Sequence, residues 1–268
     1  MKYLIKTNFI LCLESRRFQY LSIFLYSIFF ITFTSFALQN YGTNSLNLMR
    51  NYRMGIVLNE GNIRSLFILI ILLLPLLSSI FYSDSIILDK KNGIYTYYKT
   101  RCGTKQYLLS KLITVFLVNL FTIFFLLSSI EILIWIAIPN IGIQNVSSRP
   151  IYQIIEIKDK LFLSDLYYLN PYLYNLFIIF TISLYSAFIG IISMSISLIF
   201  TNIKSSYLSV IVFLCFSIIE MIIPDRYRLN LYFQTVALEF KYFLQSFGFL
   251  LLISIILTMT IIWKERRI

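Results

Sequence analysis

The sequence predicts an all-α integral membrane protein with six transmembrane helices, and three observations carry that reading. Hydrophobic residues make up 59% of the 268-residue chain and charged residues 13%, with a mean hydropathy of +0.80; an ordinary soluble domain carries about 25% charged residues. Six runs reach the length, roughly 20 apolar residues, that a helix needs to cross about 30 Å of hydrocarbon. None of them alternates with the period of two expected of barrel strands, and in hydrocarbon only helices and closed barrels satisfy every backbone group.

Taken in order, the runs are 19–38, 65–82, 112–138, 172–200, 207–223 and 242–263. Lys2, Lys6, Arg16 and Arg17 precede the first, and Ser35-Phe36-Ala37 faintly resembles a signal-cleavage site. Its apolar stretch is longer than the 7 to 15 residues of a signal core, and five more runs follow, so a retained helix is expected. Residues 1–18 have helix-forming character, but Lys2, Lys6, Asn8, Glu14 and Arg16 scatter around the wheel, which gives an interfacial helix weak support. The connections 39–64 and 139–171 are the longer ones on one side, with short interfacial helices conceivable over 151–160, while 201–206 is a tight turn. One membrane domain spans 1–268, with a cytoplasmic N-terminal segment over 1–18, a cytoplasmic insert over 83–111 and the larger extracellular loop over 139–171.

The net charge of +11 is explained by topology. The polar segments 1–18, 83–111, 201–206 and 264–268 hold 14 Lys/Arg and four acids, against nine and six in the segments on the other side. The excess orients both termini to the cytoplasm, in a cell membrane. Nothing forms a basic stripe with stacking aromatics, so nucleic acid is not an expected partner. Cys12 and Cys102 fall on the cytoplasmic side and Cys215 inside a run, which makes a disulfide framework improbable.

The chain has no histidine, which excludes His-based hydrolases, HExxH metalloproteases and most zinc sites. Its eight glycines are dispersed, with no phosphate-cradling loop, so no metal, cofactor or catalytic residue is expected in the chain itself and any ATP must be bound by another protein. Two acids lie inside runs, where a charge costs roughly 2.5–3.5 kcal/mol on insertion scales. Counted from the cytoplasmic starts of their runs, Glu131 lies about 29 Å and Glu220 about 20 Å along the helix. Each either reaches toward outer head groups, with Trp135 helping Glu131, or forms a polar feature in the outer part of a substrate pathway. Ser183, Ala187, Gly190, Ser193 and Ser197 make a stripe of small residues on the fourth run. Such stripes let helices approach closely in lipid, within the subunit, along a substrate path or at a dimer seam. No internal repeat is evident, which weakens an ion-coupled carrier.

The insert over 83–111 mixes Asp84 and Asp89 with Lys90, Lys91, Lys99, Arg101, Lys105 and Lys111, and interleaves Tyr95, Tyr97, Tyr98 and Tyr107. Gly93 and Gly103 punctuate it into short helices. It is either a positive loop that attracts anionic lipid or a short helix lodged in a partner's groove through aromatic and Arg anchors.

Asp89, Lys90 or Lys91, Gly93, the Thr100-Arg101 turn and Ser110-Lys111 opening the next run, set in a chain with an N-terminal cytoplasmic segment and six spans, resemble the ABC-2 type permeases. That family often places Pro ahead of the arginine turn, where this chain has Lys99-Thr100. The resemblance implies an exporter subunit paired with a second permease chain, identical or similar, and with two cytoplasmic ATPase subunits that bind ATP and Mg. The segment holding Asp89, Lys90, Gly93, Thr100, Arg101, Lys105 and Lys111 would then be the coupling helix. Abundant aromatics suit a hydrophobic or amphipathic substrate, and richness in Ile, Asn, Tyr, Phe and Lys suits an AT-rich bacterial genome, in which such permeases export or give immunity to antimicrobial peptides. An ion-coupled carrier using Glu131 and Glu220, and a docking or sensing protein that transports nothing, stay open beside it.

Overall fold

The apolar runs become helices whose ends are set by the polar residues that flank them. The structure, a computed structural model, describes residues 1–40, 62–82, 85–137, 162–199, 205–236 and 238–267. In order these form α1 (Lys2–Glu14), α2 (Arg16–Asn40), α3 (Asn62–Ile80), α4 (Ser85–Lys91), α5 (Ile94–Cys102), α6 (Thr104–Ala137), α7 (Ser164–Leu169), α8 (Pro171–Ile199), α9 (Ser205–Ile222), a 3-10 turn (Asp225–Tyr227), α10 (Leu229–Phe233) and α11 (Phe240–Arg267). The interfacial helices considered over 151–160, residues 201–204 of the turn expected over 201–206 and most of the 39–64 connection lie outside the described residues, while Ser205 and Ser206 already belong to α9.

Five of these helices, α2, α3, α6, α8 and α11, are long and apolar enough to cross a membrane, and the chain is a multi-pass, helical membrane protein. The sixth run forms α9, apolar but shorter over Tyr207–Ile222. At 34 residues α6 is about 51 Å long and outruns the hydrocarbon. It begins at Thr104, so the last part of the insert, 104–111, is the projecting start of a long helix.

Contacts at the two ends show the helices alternating in direction. Phe18 at the start of α2 meets Phe81 just after α3, with ring centroids 5.7 Å apart. Ile86, Tyr95, Tyr107, Leu108, Met194, Leu198 and Ile261 form one cluster, which joins α4, α5 and the start of α6 to the ends of α8 and α11. At the opposite end Trp135 meets Tyr172 at 4.7 Å, and Tyr227, beyond α9, meets Tyr242 near the start of α11 at 5.2 Å. The N-terminal helix and the last turns of α11 therefore lie at the same end of the bundle. α1 reaches it through Leu4, Asn8 and Cys12, which face inward, with Asn8 Nδ2 donating to Ser110 Oγ at 3.3 Å. The scatter of polar positions on α1 thus has a cause: Asn8 belongs to the packed face and not to the solvent face.

The main core runs through the bundle from Phe29, Phe67 and Leu74 to Ile179, Ile182 and Tyr185. Its tightest seam joins α6 to α8. Ser183, Ala187, Ser193 and Ser197 are each fully buried, and a Cβ built on Gly190 would strike the side chain of Asn119 and lie 3.3 Å from Val115. Within the chain the stripe of small residues is therefore used for packing. Some hydroxyls in these helices are absorbed locally, as when Ser78 Oγ donates to Leu74 O at 2.8 Å beside Pro75 in α3.

Replacing Gly190 by Leu is expected to cost about 1–3 kcal/mol through overpacking, read as a lower unfolding midpoint in detergent. Adding Asn119→Ala should recover part of that loss; no recovery would place the clash elsewhere.

Candidate functional site: the basic connection and its buried lock

The connection between α3 and α6 folds as two short helices because Gly93 and Gly103 take backbone angles that other residues resist. Their φ values are +73° and +74°, and an open left-handed position is what lets α4 end at Lys91 and α5 start at Ile94. Thr96 Oγ1 donates to Gly93 O at 2.6 Å and tightens the first turn of α5.

Beneath the two helices sits a buried charged cluster. Lys111 is 1% exposed, and its Nζ lies 2.9 Å from Asp89 Oδ2 and donates to the Tyr82 hydroxyl at 3.1 Å. The same Asp89 oxygen accepts the Tyr107 hydroxyl. Lys111 also lies over the rings of Tyr82 and Tyr107, at 5.0 and 5.9 Å from their centroids. An ammonium removed from water needs a counter-charge and hydrogen bonds to remain there, and this one has both. Tyr107 in turn carries α5: Tyr95 meets it edge-on at 5.5 Å and Tyr98 stacks on it at 5.7 Å. The result is a mechanical link from the end of α3, through α4 and α5, into α6.

The residues singled out in the sequence therefore divide into two groups. Asp89 and Lys111 are spent on each other inside the protein, and neither contributes to an exposed docking surface. Gly93 is the turn between α4 and α5. Lys90 is half-buried over the Tyr95 ring at 4.9 Å. Thr100, Arg101 and Lys105 are exposed, with Arg101 lying 4.3 Å over the ring of Tyr97. The four tyrosines divide as well. Tyr95 and Tyr107 are buried and Tyr98 is half-buried, so only Tyr97, at 51% exposure, remains an outward anchor.

The two acids inside the runs are held by different neighbours. Glu131 is fully buried and turned inward, not toward head groups: Trp135 Nε1 and Asn175 Nδ2 both donate to its Oε1 at 2.8 Å, bridging α6 and α8. Glu220 near the end of α9 lies by the backbone of Asn230 and has Arg228 as its nearby cation. Arg228 closes α9, donating from Nε to Ile223 O at 2.8 Å and from Nη2 to Met221 O at 3.1 Å, with Asp225 paired to it at 2.9 Å. Among the described residues no group of three or more Cys, Asp or Glu side chains is placed to hold a metal ion.

Sequence reasoning missed Tyr82 and Asn8 as members of the lock, and Asn119 and Asn175 as buried partners across α6 and α8. The four-residue spacing of Tyr107 and Lys111 was the one available signal, since it puts both on one face of a helix that starts before Lys111. With the geometry in hand, no family model matches the sequence, and no curated protein matches it either.

Burial shields Cys12, beside this cluster, and pushes its thiol up to about 12. At pH 8 a thiol-reactive maleimide should modify the half-buried Cys102 and leave Cys12 unlabelled. Asp89→Asn, which strands the Lys111 charge, is expected to cost about 3 kcal/mol and to open Cys12 to labelling, with Lys111→Met in the same chain recovering most of the loss. Unchanged labelling in Asp89→Asn would show that the pair does not hold this region together.

Proposed function

We propose that this chain is the membrane-spanning subunit of an ABC-2 type exporter, with α4 and α5 as the element that couples it to a separate ATPase. The observation that carries the reading is the combination of an exposed cationic patch, on the end of α5 and the start of α6, with a buried ion pair behind it. Arg101, Lys105 and Tyr97 point outward, while Asp89–Lys111 and Tyr107 fasten the same segment to α3 and α6. A surface meant only to attract lipid needs no such fastening. A segment that transmits force does, because a push delivered to a loose loop is lost in the loop.

The packing supports six crossings. α1 and the end of α11 sit at one end of the bundle, which calls for an even number of passes, and α9, at 18 residues or about 27 Å, is close to the length a sixth needs. With the basic excess inside, both termini and α5 face the cytoplasm. Two ATPase subunits would bind ATP and Mg, and a second permease chain, identical or similar, would complete the pathway. The substrate class that fits is hydrophobic or amphipathic, with an antimicrobial peptide as the leading case. A carrier that uses Glu131 and Glu220 together gains no support from their separate partner sets.

The test is whether an ATPase with a nucleotide-binding motif is encoded beside this gene and co-purifies with the chain. Charge reversal at Arg101 and Lys105 should abolish association and substrate-stimulated ATP hydrolysis while leaving the unfolding midpoint within about 0.5 kcal/mol of wild type, as for exposed substitutions. Association that survives the reversal would remove α5 from the coupling role. Lys111→Met should act differently, keeping association and lowering the coupling of hydrolysis to transport.

A further inference from the structure

At the end of the bundle opposite α5, two exposed cations, Arg226 and Lys241, have no ion pair among the described residues. Arg226, in the 3-10 turn after α9, is exposed and lies over two rings, 5.2 Å from the Tyr227 centroid and 5.5 Å from the Tyr242 centroid. Tyr227 and Tyr242 meet edge-on at 5.2 Å, so the guanidinium rests on a built aromatic corner. Its N–H groups find no acceptor among the described residues. The acid beside it, Asp225, is paired with Arg228 at 2.9 Å, and no ion pair joins Glu239 to Arg226 or Lys241 among the described residues.

Lys241, next to the Tyr242 on which Arg226 rests, is exposed and has no ion pair among the described residues. It starts a stripe on α11. At 3.6 residues per turn, Lys241, Leu252, Met259 and Trp263 fall within about 40° of one line. Leu252, Met259 and Trp263 are 56%, 65% and 58% exposed, which makes the line an open apolar track. From Lys241 to Trp263 is about 33 Å of helix, close to the hydrocarbon thickness, so Lys241 stands one such thickness from Trp263, beside the Tyr242 on which Arg226 rests.

We infer that Arg226 and Lys241 form a binding site for the phosphate of an anionic phospholipid in the leaflet opposite α5, with the acyl chains lying along the exposed stripe of α11. The rings of Tyr227 and Tyr242 hold the guanidinium by cation–π contact while its N–H edges stay free for phosphate oxygens. Arg228 has a different task, since its donors are consumed at the end of α9.

The test uses the full chain in nanodiscs with a photoreactive phosphatidylglycerol, and reads the label on the peptide spanning 224–245. Wild type should be labelled there in preference to an equal amount of photoreactive phosphatidylcholine. Arg226→Gln and Lys241→Gln should each weaken labelling about fivefold, and the pair should abolish the preference, while labelling at the α1 and α5 end continues as an internal control. Arg226→Lys should retain most of the signal. Equal labelling by phosphatidylcholine, or unchanged labelling in the double variant, would overturn the site. Complete competition by inorganic phosphate would show a free-anion site and overturn the lipid assignment. Should Arg226→Gln fail to fold, Lys241→Gln decides alone, with unchanged labelling counting against the site.

Discussion

A single ammonium buried at the mouth of the bundle governs how the rest of this protein is joined. Lys111, 1% exposed, cannot remain charged without Asp89, and Asp89 cannot reach it unless α4 folds back over the start of α6. That requirement fixes the sharp turn at Gly93, brings Tyr107 and Tyr82 onto the pair, and stacks α5 on Tyr107. α1 then closes the cluster from the side through Asn8 and Cys12. The pair is weak evidence for net stability, because desolvation offsets much of the attraction, but it is strong evidence for one arrangement, since either partner alone would be a stranded charge.

The same logic operates deeper in the membrane with neutral partners. Glu131 is surrounded by Trp135 and Asn175, and Asn119 bonds Val115 O at 2.9 Å while filling the space that Gly190 leaves open. In lipid there is no water to accept a misplaced polar group, so each of these contacts restricts which helix faces meet. The α6–α8 seam results from this restriction, combining small residues for close approach with amides for registration.

The reading of the sequence went furthest where the signal is a local sum. All six apolar runs became helices, with ends within a few residues of those expected except at α6, which begins eight residues ahead of the run that starts at 112. The extension was hidden because Thr104, Lys105 and Gln106 are polar and the hydropathy signal starts only after Lys111. The insert was legible as short helices split at Gly93 and Gly103, but not the direction of its side chains. Tyr95, Tyr98 and Tyr107 read as outward anchors, and they face inward because a second cluster, including Met194, Leu198 and Ile261, lies beneath them. Nothing within the insert announces residues that are nearly a hundred positions or more away.

By itself the sequence determined the class of the protein: a helical membrane chain, the positions of its apolar helices, the basic end and the polar insert that interrupts them. These follow from composition and length, because the cost of placing a segment in hydrocarbon adds up residue by residue. Only the tertiary structure decided which polar residues are consumed internally, as Asp89, Lys111, Glu131 and Arg228 are, and which remain available, as Arg101, Lys105 and Arg226 do. That division depends on which helices lie side by side, and a polar group's neighbour 22 or 102 residues away is set by packing, not by the sequence around it.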